Sequence, residues 1–166
     1  MKNLSYLLFA VVSLLFFTAC SNKQKTRDEQ VEEFRSSLTT EDSTTVVRLC
    51  DDAMEQLKAK KIDEVIANLY EYDDSLKQVT PLSEAMAKRY SRKFKTYPVL
   101  DYKRQYFSFM LEGCNDVKYE VTFATAEQVG TDTPATTMFM FNPVKIDGVW
   151  KLCVKNSDDE VDEQNL

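Results

Sequence analysis

The 166 residues contain no histidine, three glycines and four prolines. Without histidine, the side chain that most often shuttles protons near neutral pH and most often ligates metals is missing. No closely spaced cysteine pair takes its place in a zinc-like site. Three glycines do not suffice for a Gly-rich phosphate-cradling loop, and no flexible low-complexity linker is present. Cationic excess is missing as well: 21 Lys and Arg stand against 27 Asp and Glu, a net charge of −6 at pH 7, which argues against a nucleic-acid partner. Nothing in the composition implies a cofactor or a metal. The chain also lacks the roughly 20 consecutive apolar residues that a membrane-spanning helix needs.

What it does have is a shorter apolar run, Leu4 to Phe17, preceded by the single charge of Lys2. That length suits the hydrophobic region of a signal peptide. The run ends in Phe17-Thr18-Ala19-Cys20 and turns polar at Ser21-Asn22-Lys23. These residues resemble the bacterial lipobox, with Phe17 where leucine is commonest. The resemblance implies cleavage before Cys20, a diacylglycerol on its thiol and an acylated amine, hence a lipid anchor at Cys20 holding the protein to a membrane. The other reading is an ordinary secreted protein with a fortuitous cysteine. In the lipoprotein resemblance, the absence of aspartate directly after Cys20 favours the outer membrane, facing the periplasm or the surface.

Loss of residues 1–19 would leave 20 basic and 27 acidic residues on a chain long enough for one domain with its own core. The expected organisation is a signal peptide over 1–19, a lipid-anchored tether over 20–42, a domain over 43–156 and an acidic disordered tail over 157–166. Within the tether, Val31, Phe34 and Leu38 carry a faint helical spacing. With Cys20 acylated, Cys50, Cys114 and Cys153 can close at most one disulfide. Burial as small hydrophobes is the preferred reading.

Three helices are predicted first. One starts at Asp42 or Ser43 and runs to about Lys60, with Val46, Leu49, Cys50, Ala53, Met54 and Leu57 on one face. A second starts near Ile62 and carries Val65, Ile66, Leu69 and Tyr70. The third is capped by Thr80, has Pro81 in its first turn, presents Leu82, Met86, Tyr90 and Phe94, and ends at Tyr97-Pro98. The period then changes to two: Leu100, Tyr102, Tyr106 and Met110 alternate on one strand, and Val117, Tyr119, Val121 and Phe123 on the next. A third strand follows over 133–146, and Asp147-Gly148 turns it into a fourth. The fold class is therefore α+β, with three N-terminal helices on one curved four-stranded antiparallel meander.

That order, together with the short second helix at KKIDEVIANLY and the last hairpin at KIDGVWKLCV, resembles the cone-shaped cystatin-like folds grouped as nuclear transport factor 2-like. The resemblance spans about Asp42 to Lys155. It implies a cavity between helices and sheet, used in that family by enzymes, by ligand binders and by structural dimers alike, so it leaves the function open.

The family's enzymes use Asp/Tyr or Asp/His pairs to move protons. Here the His version is excluded, and no catalytic set can be assembled; Asp101, the one strand carboxylate worth weighing as a base, has the parity of the solvated face. Arg104 shares the parity of Leu100, Tyr102, Tyr106 and Met110 and should point inward, where an unpaired charge is costly. It therefore pairs with a helix acid, is swung outward by a bulge, or awaits an acidic ligand. Tyr70, Tyr102, Tyr106, Tyr119 and Trp150 are candidates to line the same cavity, with ordinary core as the competing role. Phe107, Phe109 and Leu111 have the opposite parity and should stud the outer sheet face as a dimer or partner interface. Lys88, Arg89, Arg92, Lys93 and Lys95 cover the third helix's polar side, as a solvated face or a contact for anionic headgroups or an acidic partner. The sequence thus points to a lipid-anchored envelope protein that binds a small molecule or peptide without catalysis; the alternatives are an assembly protein and, more weakly, an isomerase-like or dehydratase-like enzyme.

Overall fold

The structure is a computed structural model that describes residues 25–155. The expected signal peptide, Cys20 and the acidic tail lie outside the described residues. In chain order the elements are α1 (Arg27–Ser37), α2 (Thr40–Lys58), α3 (Ile62–Ala67), β1 (Tyr70–Asp73), β2 (Gln78–Pro81), α4 (Glu84–Thr96), β3 (Asp101–Leu111), β4 (Cys114–Ala124), α5 (Ala126–Val129), β5 (Ala135–Ile146) and β6 (Val149–Val154).

The class is α+β, but the four-stranded antiparallel meander is wrong. The sheet has six strands in the order β2-β1-β6-β5-β4-β3. It is mixed, because β1 joins β6 in parallel at Tyr70↔Cys153 while the other neighbours are antiparallel. The unexpected hairpin, β1–β2, contains no glycine to announce its turn. Asp73 Oδ1 instead accepts from the amides of Ser75 (2.8 Å) and Leu76 (3.0 Å), and Lys77 takes the left-handed φ of 51° usually left to glycine. Thr80 and Pro81, read as the start of a helix, end β2; Ser83 caps α4, its Oγ accepting from the Met86 amide. Asp147 and Gly148 both have positive φ in the tight β5–β6 turn.

The segment read as tether also differs. Residues 27–37 form α1, closed at its start by a reciprocal box in which Thr26 and Glu29 cap each other's amides. Val31 is buried, and Phe34 and Leu38 pack on the main core. From the C-terminal turn, Arg35 donates through Nε to the Phe109 carbonyl at 2.7 Å, covering one end of edge strand β3.

The helices cover one sheet face. Val46, Cys50, Met54, Leu57, Val65, Tyr90 and Phe94 interlock there with Val117, Tyr119, Val121, Phe139, Phe141, Leu152 and Val154. A second, smaller cluster sits on the other face, where Tyr72, with Tyr70 and Val79, packs on Val144, Cys153 and Ile146. The β1–β2 hairpin therefore curls over the sheet's outer face. Its Tyr72 reaches the β3–β4 turn so closely that a Cβ on Gly113 would lie 1.9 Å from the ring.

A β-bulge near Gln105 reverses the inside and outside of β3. Up to Arg104↔Tyr119 the alternation holds, but the register slips before Tyr106↔Lys118 and Phe107↔Val117. Tyr106 is consequently turned outward, 43% exposed. Phe107 and Phe109 move to the helix side, where the Phe109 ring lies 5.8 Å from that of Trp150. The expected outer-face interface of Phe107, Phe109 and Leu111 is thus not formed on that face, since one extra residue exchanges the two faces of a strand. Leu111 falls beyond a second slip, beside the β3–β4 turn.

Candidate functional site

Three places hold the chemistry-bearing side chains. The first is the mouth between α2 and β3–β4. Arg104 donates through Nη1 to Asp51 Oδ2 at 2.6 Å, and Tyr119, fully buried, donates its hydroxyl to Asp51 Oδ1 at 2.6 Å. Tyr102 donates to Glu55 Oε1 at 2.6 Å, with its ring edge-on to Tyr119 at 5.7 Å. Of the six sequence-predicted binding residues, Arg104, Tyr102 and Tyr119 are brought together here. Arg104 pairs with a helix acid, one of the roles expected for it. The partners, Asp51 and Glu55, follow the i, i+4 spacing beside the buried stripe of α2.

The electrostatics make this mouth self-satisfied. Burial, then the Asp51 hydrogen bond, pushes the Tyr119 phenol far above its ordinary value; burial and Glu55 do the same to Tyr102. Both phenols remain proton donors at physiological pH. Burial works against the charge on Arg104, but Asp51 outweighs it and holds the guanidinium more firmly charged. Both oxygens of Asp51 are occupied, so an acidic ligand would have to displace it to reach Arg104. Asp101 lies on the exposed face, 2.9 Å from Lys58, whose hydrogen bond keeps its carboxyl below the usual range.

The second place is a buried carboxylate that sequence reasoning treated only as a helix cap. Asp42 is 7% exposed. It accepts from Lys145 Nζ at 2.5 Å, Trp150 Nε1 at 2.8 Å, the Thr39 amide at 2.9 Å and the Thr39 hydroxyl at 2.8 Å. Its signal was legible: Asp42, Val46 and Cys50 form one stripe at intervals of four, and the carboxylate continues the core face. Trp150 is fixed by this contact and belongs to the core. Tyr70 lies half-buried at the sheet's far side, with Lys151 Nζ 4.9 Å from its ring centroid.

The third place is a cleft of about 710 Å³ between α1, the β1–β2 hairpin and the β3–β4 turn. Phe34, Tyr72 and Leu111 give it apolar surface, while Gln30, Ser37 and Asn142 offer uncharged polar groups. Glu33, Asp74 and Glu112 alternate with Lys77 and Lys155 among its charged residues. Its walls are held firmly. Asn115, fully buried, accepts the Asn142 side chain's role as partner through its own amide, donating to Asn142 Oδ1 at 2.9 Å. The Asn115 side chain donates to the Pro143 carbonyl, also at 2.9 Å, and that of Asn142 to the Gly113 carbonyl at 2.9 Å. The turn is thereby clasped to β5. Arg104, Tyr102, Tyr106 and Tyr119 do not line this cleft. Two of its three walls, α1 and the hairpin, come from the elements that periodicity did not predict.

Cys50, Cys114 and Cys153 are free thiols. Burial pushes Cys153 up to about 12 and Cys50 further still. Cys114, half-buried, borders the cleft. Among the described residues, no group of three or more Cys, Asp or Glu is placed to hold a metal ion, and no helix is long and apolar enough to cross a membrane.

No family model matches this chain, and no curated protein matches it. Among solved structures, it is similar to a crystal structure of a Campylobacter jejuni protein described as an NTF2-like transpeptidase, with 13% identity and a TM-score of 0.37 over 65% of this chain and 96% of that one. At that distance neither fold family nor activity passes from that protein to this chain.

Proposed function

We propose that the chain is a lipid-anchored envelope protein, attached through Cys20 to the outer membrane, whose domain binds a small molecule or short peptide without catalysing a reaction. The observation that carries this reading is the cleft between α1, the β1–β2 hairpin and the β3–β4 turn, with its volume of about 710 Å³. That size suits a small ligand, and an apolar lining with a few placed polar groups is the ordinary make-up of such sites. The mixed charges of Glu33, Asp74, Glu112, Lys77 and Lys155 favour a ligand with both an apolar body and polar ends. The Asp51–Arg104–Tyr119 network, by contrast, has its hydrogen bonds closed among its own members.

The binding test is a native mass spectrum of residues 21–166 purified from bacterial cells, beside the Ser37→Trp variant, whose indole fills the cleft. The expected result is extra mass on the unaltered chain, released on denaturation and missing from Ser37→Trp. A ligand equally retained by Ser37→Trp would sink the assignment. For the anchor, wild-type and Cys20→Ala precursors are compared by intact mass and membrane fractionation. Absence of the acyl mass from the wild type would end that part of the proposal.

A further inference from the structure

The basic side of α4 has a natural occupant within the same chain. Over its 13 residues α4 carries Lys88, Arg89, Arg92, Lys93 and Lys95 against one acid, Glu84. Helical geometry sorts these cations. Arg89, Arg92 and Lys93 are related by three and four residues and share one side, next to the buried Tyr90. Lys93 Nζ confirms the placement, lying 6.0 Å from the Tyr90 ring centroid and 5.7 Å from that of Phe139. Lys88 and Lys95 fall on the other side, around a shallow groove where Lys88 is already paired with Glu84 at 2.6 Å.

Tyr90 also fixes where the chain departs from the domain. Its hydroxyl donates to the carbonyl of Lys155 at 3.1 Å. The residues that follow, NSDDEVDEQNL, contain Asp158, Asp159, Glu160, Asp162 and Glu163 and no base. Asp158 is three residues beyond Lys155, within about 10 Å along an extended chain. All eleven residues could span at most about 40 Å, while α4 is roughly 20 Å long. Five acids are therefore delivered beside three aligned cations, at a distance where screening by physiological salt is incomplete.

We propose that the acidic segment after Lys155 docks on the Arg89, Arg92 and Lys93 side of α4 in the same chain. Docking closes the α4 cations against anionic surfaces in trans. It also gives the segment a place on the domain, beside Lys155 at the cleft's border.

Zero-length carbodiimide cross-linking of residues 21–166, read by peptide mass spectrometry on an equal mixture of isotopically light and heavy chains, tests this. The expected links join Lys93 to acids between Asp158 and Glu163 within one chain, outnumber links to Lys88 and Lys95 several-fold, and weaken in 0.5 M salt. They should also be lost in Arg89→Glu/Arg92→Glu/Lys93→Glu. Because that variant alters packing on Phe139, a second one leaves the helix untouched and turns the five acids into amides. In it, Lys93 should become at least severalfold more reactive to acetylation. Links only between light and heavy chains would assign the face to a second copy. No links, with binding of the unaltered chain to vesicles containing phosphatidylglycerol, would assign it to a membrane surface. Either result, or unchanged Lys93 reactivity, overturns the proposal.

Discussion

Replacing Asp42 by asparagine is the most informative single change in the core. The carboxylate accepts four hydrogen bonds and neutralises Lys145 in a place where it is only 7% exposed. Breaking a buried ion pair by removing one partner costs about 3–5 kcal/mol. The Lys145 side chain keeps 32% exposure and can turn toward water, which puts Asp42→Asn near the lower end, about 3 kcal/mol. For a domain of this size that lowers Tm by roughly 10 °C. The pH dependence adds an independent check. The Lys145 hydrogen bond, then the Thr39 amide and the Trp150 indole, hold the Asp42 carboxyl well below its ordinary range despite burial. A depressed folded-state pKa means that the unfolded state binds more protons in acid. The stabilisation is therefore complete above the unfolded value of about 4 and is lost as pH falls below it. Urea titrations at pH 7 and pH 3, followed by fluorescence of the single tryptophan, Trp150, should show a large gap between wild type and Asp42→Asn at pH 7 that narrows at pH 3. Lys145→Met should cost less in the Asp42→Asn background than in the wild type. A loss under about 1 kcal/mol at pH 7, or a gap that does not change with pH, would refute the argument.

Further outcomes follow from other contacts. Gly113→Ala forces a methyl into the Tyr72 ring and should destabilise by about 1–3 kcal/mol in denaturant titrations, with partial rescue by Tyr72→Ala; equal stability would mean that the hairpin does not lie over the turn. Arg104→Ala leaves Asp51 with Tyr119 alone, and because both ionic groups keep about a third of their exposure the loss should be only about 1–2 kcal/mol, with any co-purified ligand retained; ligand loss would move the site to the mouth. In native residues 21–166 a thiol reagent at pH 8 should modify Cys114 quickly and leave Cys50 and Cys153, buried and with pKa values pushed up, until denaturant is added; three equal rates would contradict their burial.

How much of this was legible in the sequence depends on how the information is carried. The α2 stripe and the β4 alternation were readable because each repeats its period several times: Val46, Cys50, Ala53, Met54 and Leu57 are all buried, as are Val117, Tyr119 and Val121. The β1–β2 hairpin was not, because each strand has four residues and its turn is built by the Asp73 carboxylate and a left-handed Lys77 instead of glycine. The reversal of β3 was not, because a bulge leaves no mark in composition and yet inverts every side chain after it. Hence Tyr102 and Arg104 face the helices as expected, while Tyr106 and Phe109 exchange places. Helix α1 was visible only faintly, with Val31, Phe34 and Leu38 embedded among charged residues. Since α1 and the hairpin form two walls of the cleft, the candidate site was less legible than the core.

The location of binding is tested most directly by the alkylation rate of Cys114, which borders the cleft. Residues 21–166 as isolated from cells are compared with the same protein stripped of small molecules by unfolding and refolding. An occupied cleft predicts slower alkylation of Cys114 as isolated, restored to the stripped rate when the occupant is removed. Equal rates in the two preparations would contradict a ligand in this cleft.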